Sequence, residues 1–197
     1  MISAGIVIII AFSLYSFGSY SAAPKAGTKQ SPISSVVRGG SGNAPTTIST
    51  FENRENPGNF YSIQFPGGAN VAHGNASGSY IVKMPKGIFS VQLVDIPDTS
   101  NVQLYLLTHI QPALKSSLQD FNRIGYDQSS VGGHRAWDLT YTWNNRTIGM
   151  ESMKTVVEGS DHAASITFSA PKQEFADLNT MSGLVKPVVE SFHWIGQ

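Results

Sequence analysis

The sequence predicts an α+β fold in which helices pack on an antiparallel sheet, preceded by one transmembrane helix. Three observations support this: an uncharged apolar run at the N-terminus, several short alternating segments after residue 60, and two amphipathic helical patterns among them. Strands interrupted by a few helices, without regular strand–helix alternation, are typical of α+β domains. We divide the 197 residues into a transmembrane anchor or signal segment (1–23), a tether (24–59) and one domain (60–197).

Residues 2–20 carry no charge. As a helix rising roughly 1.5 Å per residue they would extend about 28 Å, close to the ~30 Å apolar thickness of a bilayer. We favour a retained single-pass anchor; the alternative is a secretory signal, for which the small residues 21–23 offer a cleavage site. Sequons make Asn75 and Asn145 candidate glycosylation sites. We therefore expect the domain on the extracytoplasmic side of a membrane, or secreted after cleavage.

Residues 24–59 are rich in Gly, Ser, Pro, Thr and Asn and contain few large apolar side chains. Such a segment cannot bury enough surface to offset the entropy lost on ordering. We predict a flexible tether with an end-to-end distance of about 35 Å, which lets the domain reach a neighbour on the same membrane.

The domain begins with three predicted strands. Residues 60–65 alternate and stop at a Pro-Gly-Gly turn, and residues 79–84 and 89–96 each stop before a proline. Residues 102–110 are apolar enough for either a strand or a helix. Pro112 suits the first position of a helix that continues through Leu114 and Leu118 and is expected to end near Gly125.

The strongest strand signal is strict period-two alternation, which places Trp137, Leu139, Tyr141 and Trp143 on one face. The next strand, residues 147–157, changes phase near Ser152, which predicts a bulge. A third strand, with residues 164, 166 and 168 facing inward, completes an antiparallel meander.

A final helix is predicted over residues 174–190, with a kink at Pro187. Its apolar stripe recurs at three- and four-residue steps and consists of Phe175, Leu178, Met181, Val185, Val188 and Phe192.

Four segments in order resemble the PsbP family. Residues 61–66 (YSIQFP) resemble its first strand and residues 131–141 its Gly-containing segment before an aromatic strand. Residues 166–175 and 188–192 resemble its penultimate strand, the start of its last helix and its closing segment. The resemblance spans residues 60–195 and implies a PsbP-like α/β/α sandwich. Small-ligand or ion binding occurs in parts of this family, but no shared residue motif transfers to this chain, and we predict no cofactor. The resemblance also implies a non-enzymatic role as an extrinsic or assembly subunit of membrane complexes.

Composition narrows the function classes. The 13 basic residues equal the 13 acidic ones, so the basic excess of a nucleic-acid binder is missing. Without cysteine there is no thiolate metal site or Cys nucleophile. No Gly-x-Ser-x-Gly elbow, P-loop or local histidine pair occurs, and we assign no catalytic, cofactor-binding or metal residue. Strand pairing could still bring His134 to Asp138. It could likewise bring His162 to Glu151 or Asp161.

The aromatic strand carries the candidate partner-binding residues. Trp137, Tyr141 and Trp143 would supply contact area, and Arg135 and Arg146 a polar rim; the other interpretation is core beneath a helix. The expected function is a membrane-tethered, extracytoplasmic, non-catalytic accessory or assembly subunit that binds a membrane protein complex. The alternative is an extracytoplasmic small-molecule or metal-binding module, with its pocket between the sheet and the last helix.

Overall fold

The structure, a computed structural model, describes residues 48–54, 60–74, 78–96, 101–160 and 162–196. The predicted anchor or signal segment (1–23) and most of the predicted tether lie outside these ranges. Among the residues that are described, no helix combines the length and hydropathy needed to cross a bilayer.

A small antiparallel sheet brings the two ends of the domain together, in the strand order β1-β2-β10. Its strands are β1 (Ile48–Asn53), β2 (Phe60–Pro66) and β10 (His193–Ile195). β1 lies inside the predicted tether, so the boundary at residue 59 is wrong and the fold includes residues 48–53. The composition of this segment did not predict a strand, because Phe51 is its one aromatic residue. The Phe51 ring packs against Tyr80, with the ring centroids 4.2 Å apart.

A seven-stranded antiparallel sheet forms the body of the domain, in the order β3-β4-β5-β9-β8-β7-β6. The predicted meander is confirmed as β7-β8-β9 and continues on both sides. The strands are β3 (Asn70–His73), β4 (Tyr80–Met84), β5 (Gly87–Asp95), β6 (Gln119–Val131), β7 (His134–Asn145), β8 (Ile148–Glu158) and β9 (His162–Pro171).

Two helical segments pack on this sheet. The first, residues 102–117, consists of α1 (Val102–Tyr105), a π-helical turn (Leu106–Ile110) and α2 (Gln111–Ser117). The second, residues 172–190, consists of α3 (Lys172–Phe175), α4 (Leu178–Thr180), a π-helical turn (Met181–Val185) and α5 (Lys186–Glu190). The single helix predicted over residues 174–190 is therefore interrupted, and the ambiguous residues 102–110 are helical.

Both π-helical turns have the same cause. Pro112 and Pro187 lack an N–H, and each ring would collide with the carbonyl four residues earlier. The turn before each proline widens instead: the N–H of Gln111 donates to the Leu106 carbonyl, and that of Lys186 to the Met181 carbonyl. Where the sequence predicted a kink at Pro187, the structure has a π-helical turn directly before it.

The helix predicted to end near Gly125 instead ends at Ser117, and β6 begins at Gln119. β6 is the edge strand of the large sheet, and most of its side chains are exposed or half-buried on both faces. Without one buried face, a strand shows no period-two hydrophobic signal. The spacing of three apolar residues therefore predicted a helical stripe that runs past the true end of the helix; they are Leu114, Leu118 and Phe121.

The bulge predicted near Ser152 is also wrong. β8 pairs with β7 and with β9 in unbroken register. The phase change in the sequence reflects Ser152 and Lys154, two polar side chains buried on a face where alternation predicts apolar ones.

Each face of the large sheet has its own core. The front face packs against the small sheet and the second helical segment through buried residues such as Phe89, Ile166 and Phe168. The back face packs against the first helical segment through Leu139, Val156 and others. The predicted apolar stripe of the second segment lies on the front core, except that Leu178 is 81% exposed. Leu178 does not continue the stripe of Phe175, because α3 ends at Phe175 and a separate helix, α4, begins at Leu178.

At Gly87 the backbone of β5 lies close to β9. A Cβ at this position would lie 2.6 Å from the Phe168 ring and 2.7 Å from the Ser169 carbonyl oxygen. We expect Gly87→Ala to lower the free energy of unfolding by roughly 1–3 kcal/mol, because the backbone must shift to relieve the overlap. Chemical denaturation measures this change.

Gly183 is the matched control, since a Cβ there meets nothing within 4 Å. Gly183→Ala should leave stability unchanged or raise it by up to about 1 kcal/mol. Equal losses in the two variants would contradict the close approach at Gly87.

Candidate functional site

Most of the predicted aromatic stripe is core. Tyr141 is fully buried and Trp143 is buried beneath the first helical segment, beside Leu139. Neither aromatic ring reaches the surface, so these two residues are corrected from partner-binding candidates to structural ones. The alternation correctly predicted that these side chains share one face of β7. The first helical segment covers part of this face, and its extent determines which rings remain accessible.

Trp137 differs from its neighbours on β7 because it is only half-buried. Its ring stacks on Tyr126 of β6, with centroids 5.2 Å apart and an interplanar angle of 16°. The guanidinium of Arg123 lies 5.9 Å from the Tyr126 ring centroid, and the Tyr126 hydroxyl donates to the Gln103 carbonyl at 3.4 Å. Ile124, in the irregular part of β6, is 53% exposed. We call Arg123, Ile124, Tyr126 and Trp137 the aromatic edge.

The β6 half of the aromatic edge was missed because residues 119–125 were predicted as the end of a helix. One signal could have found it. Gly132 and Gly133 connect β6 to β7 with φ of 58° and 83°. Two consecutive positive φ values are what the type I′ turn of a two-residue hairpin requires, and Gly-Gly between two alternating segments indicates such a hairpin.

Arg135 and Arg146 do not form one rim. Arg135 is exposed, follows the Gly-Gly turn on the side of Trp137, and lies 3.7 Å from Glu158. Arg146 is exposed in the opposite turn, with φ of 58°. They are eleven steps apart along the chain, about 36 Å in an extended strand, so Arg135 alone adjoins the aromatic edge. Asn145, a candidate glycosylation site, is half-buried at the end of β7; Asn75 lies outside the described residues.

The sheet pairs one histidine with a carboxylate, but not one of those expected. His162 Nε2 lies 3.0 Å from Asp95 Oδ1, because β5 and β9 place these residues opposite each other. The expected contact with Glu151 does not form, since Glu151 faces β9 at Ala170; Asp161 lies outside the described residues. Over the described ranges, no three His, Asp or Glu side chains converge as a metal site.

One Ser–His contact occurs on the small sheet. Ser62 Oγ lies 3.0 Å from Nε2 and 3.3 Å from Nδ1 of His193. The hydrogen-bonding directions of the two ring nitrogens diverge, so one oxygen cannot lie in line with both, and alignment is what proton transfer requires. Nδ1 also lies 3.2 Å from the Ser191 carbonyl, and no carboxylate of the described residues forms an ion pair with His193. The contact lacks the orienting acid of a catalytic triad.

A cluster of polar side chains is buried on the back face of β8 and β9. Lys154 is buried, and its Nζ donates to Ser165 Oγ at 2.9 Å and to Thr167 Oγ1 at 2.7 Å. The register causes this contact, because Thr167 is directly opposite Lys154 and Ser165 is opposite Val156, one step along the same face. Burial lowers the pKa of Lys154 to about 8.

The cluster continues towards β7. Ser152 Oγ lies 2.8 Å from Ser169 Oγ and accepts from Trp143 Nε1 at 2.9 Å. Burial raises the pKa of the neighbouring Tyr141 hydroxyl, which therefore stays neutral. We call Trp143, Ser152, Lys154, Ser165, Thr167 and Ser169 the polar core. Its signal in the sequence is the polar half of β9, Ser165-x-Thr167-x-Ser169, which alternates with apolar residues of the front face.

Comparisons with known proteins identify the fold. No protein-family model and no curated protein matches the chain. It is similar to the solution structure of cyanobacterial PsbP (CyanoP) from Synechocystis sp. PCC 6803, with a TM-score of 0.58 and 13% identity over 81% of this chain and 99% of that one. It is also similar to LpqN of Mycobacterium tuberculosis, involved in cell envelope biogenesis, with a TM-score of 0.51 and 13% identity over 75% and 91% of the two chains.

At these identities the likeness shows the fold alone. The chain has a PsbP-like fold of antiparallel sheets with a few helices, which confirms that part of the sequence prediction.

Lys154 makes stability depend on pH. The unfolded chain has the ordinary lysine pKa of 10.5, whereas burial holds the folded value at about 8. Between these values the unfolded state holds a proton that the folded state has released. The free energy of unfolding should therefore rise with pH over this window, by about 3 kcal/mol in all, and Lys154→Met should abolish the rise. Urea denaturation from about pH 7 to about pH 10 measures it.

The exposed Lys115 provides the control, because Lys115→Met should leave the rise in place. Near neutral pH, Lys154→Met should also be more stable than the wild type, since it removes a buried charge without a counter-ion. Parallel pH profiles for the wild type and Lys154→Met would show that Lys154 titrates normally.

Proposed function

We propose that this protein is a membrane-tethered, extracytoplasmic accessory or assembly subunit that binds a membrane protein complex and catalyses no reaction. The observation that carries the proposal is the aromatic edge, which lies on β6, the outer strand of the large sheet, and on the adjoining strand β7, and whose residues are exposed or half-buried. The apolar run at residues 2–20 and the tether support attachment to a membrane. A fold shared with CyanoP and with an envelope-biogenesis protein supports the same context.

The chemistry of the aromatic edge suits a protein partner. Tyr, Trp and Arg dominate the energetics of protein interfaces, because they bury large areas at a low cost in side-chain entropy. Tyr126 and Trp137 are already held by stacking, so little ordering is needed on binding. Leu104, the residue after Gln103 on the first helical segment, is a further exposed apolar side chain, 47% exposed.

The polar core favours a second candidate, an extracytoplasmic small-molecule-binding module. The sequence predicts its pocket between the sheet and the last helix. The last helical segment, however, packs on the front face, where the side chains of β9 are apolar. The groups able to bind a polar ligand lie on the opposite face, around Lys154.

Co-purification from gently solubilised membranes tests the leading proposal. The wild-type chain should elute with a partner, well above its own 21.2 kDa. Ile124→Asp should weaken this association at least about tenfold, because it places a charge within the aromatic edge. A wild-type chain that elutes alone would overturn the proposal.

Ile148→Asp is the matched control. Ile148 is also an exposed isoleucine on a strand, 41% exposed, but it lies beside the turn at the far end of β7 from the aromatic edge. This variant should retain the partner. Equal losses for both substitutions would remove the aromatic edge from the proposal.

A further inference from the structure

Around Lys154, the polar core has hydrogen-bond donors that lack an acceptor. Lys154 has three N–H bonds, and two of them donate to Ser165 and Thr167. Because these two oxygens accept from Nζ, their own O–H bonds point elsewhere. Within the described parts of the chain, no acceptor meets these two hydroxyl protons or the third N–H of Lys154. Three neighbouring donors are thus unmatched, although both hydroxyl-bearing residues are at most 2% exposed.

The cluster also carries a positive charge without a counter-ion. Lys154 forms no ion pair with a carboxylate of the described residues, and desolvation alone accounts for its lowered pKa. The carboxylate of Asp138, on the front face, is bonded by Thr155 Oγ1. The titratable groups on the back face include Tyr141 and Tyr105, and burial raises the pKa of both, so they stay neutral. A buried cation of this kind is stabilised by an anion that accepts its remaining hydrogen bond.

The polar core has one side that leads towards solvent. The first helical segment packs on β6, β7 and β8. On β5, Ser90 is opposite Thr167 and Gln92 is opposite Ser165, and both β5 side chains are half-exposed. Exposure therefore increases from the two hydroxyl-bearing residues of β9 to their neighbours on β5. A ligand that approaches over Ser90 and Gln92 meets the hydroxyls of Ser165 and Thr167 first and the ammonium group behind them.

We propose that Lys154, Ser165 and Thr167 form a binding site for one small monovalent anionic group, reached over Ser90 and Gln92. The ammonium group supplies the charge, and the two polarised hydroxyls supply directed donors. The ligand group is small because the donors are almost fully enclosed. A carboxylate on a small organic acid and a free halide share this chemistry. The site is independent of the aromatic edge and of any partner that binds there.

The titration of Lys154 itself provides the test. In the full-length chain in zwitterionic detergent, ¹³C-labelled lysine side chains are titrated by NMR, and the Lys154 signal is identified by its loss in Lys154→Met. Sodium acetate and sodium chloride are compared with sodium HEPES at equal ionic strength. An anion that binds only the protonated form should raise the pKa of Lys154 from about 8 towards about 9, one unit for each tenfold excess over its dissociation constant.

Lys115, which is exposed, is the internal control for screening and should not respond. A response to acetate alone assigns the site to carboxylates, and an equal response to chloride assigns it to monovalent anions in general. Ser165→Ala with Thr167→Val should abolish the response, whereas Ser130→Ala, at an exposed hydroxyl on β6, should preserve it. A Lys154 pKa that neither anion moves, or that moves only as Lys115 does, would overturn the proposal.

Discussion

Burial of both faces of the seven-stranded sheet is the constraint on which the rest of the structure depends. The small sheet and second helical segment cover the front face, and the first helical segment covers the back face. Eight consecutive residues of β9, 163–170, are consequently buried, so this strand has no solvent face for its polar side chains. A buried polar group must find a partner or it destabilises the fold. β8 and β9 meet this requirement in part, by placing their hydroxyls and Lys154 next to each other.

The two ends of this polar row are satisfied to different degrees. Towards β7, Trp143, Ser152 and Ser169 form a chain in which each oxygen has a partner. Towards β5, Lys154 binds two hydroxyls but meets no negative charge among the described residues. Replacing such a charge with an apolar side chain usually stabilises a protein, so an unpaired buried lysine is a feature that folding alone does not favour. This asymmetry is the reason for the anion site that we propose at Lys154.

The same coverage determines which surfaces remain for recognition. Helices bury Tyr141 and Trp143, but β6 lies at the margin of the sheet and leaves Tyr126 and Trp137 partly open. Aromatic rings held by stacking at an edge are preorganised for contact. Alternation along β7 identified the correct face of the strand. It carried no information about how far the covering helix extends, and only Trp137 of the three predicted aromatic residues remained accessible.

Local patterns in the sequence determined the strands with one apolar face and the helix around Leu114. They also determined the α+β class and the irregular helix at Pro187. Each of these features depends on residues that are close along the chain. Patterns failed where a strand had no single buried face, as in β1 and β6, and where polar residues were buried, as at Ser152. Only the tertiary structure decided that Lys154 meets Thr167, that Trp137 meets Tyr126 and that Asp95 meets His162. These contacts follow from strand pairing across turns and crossovers, and the register between distant segments is set by the packing of the whole sheet.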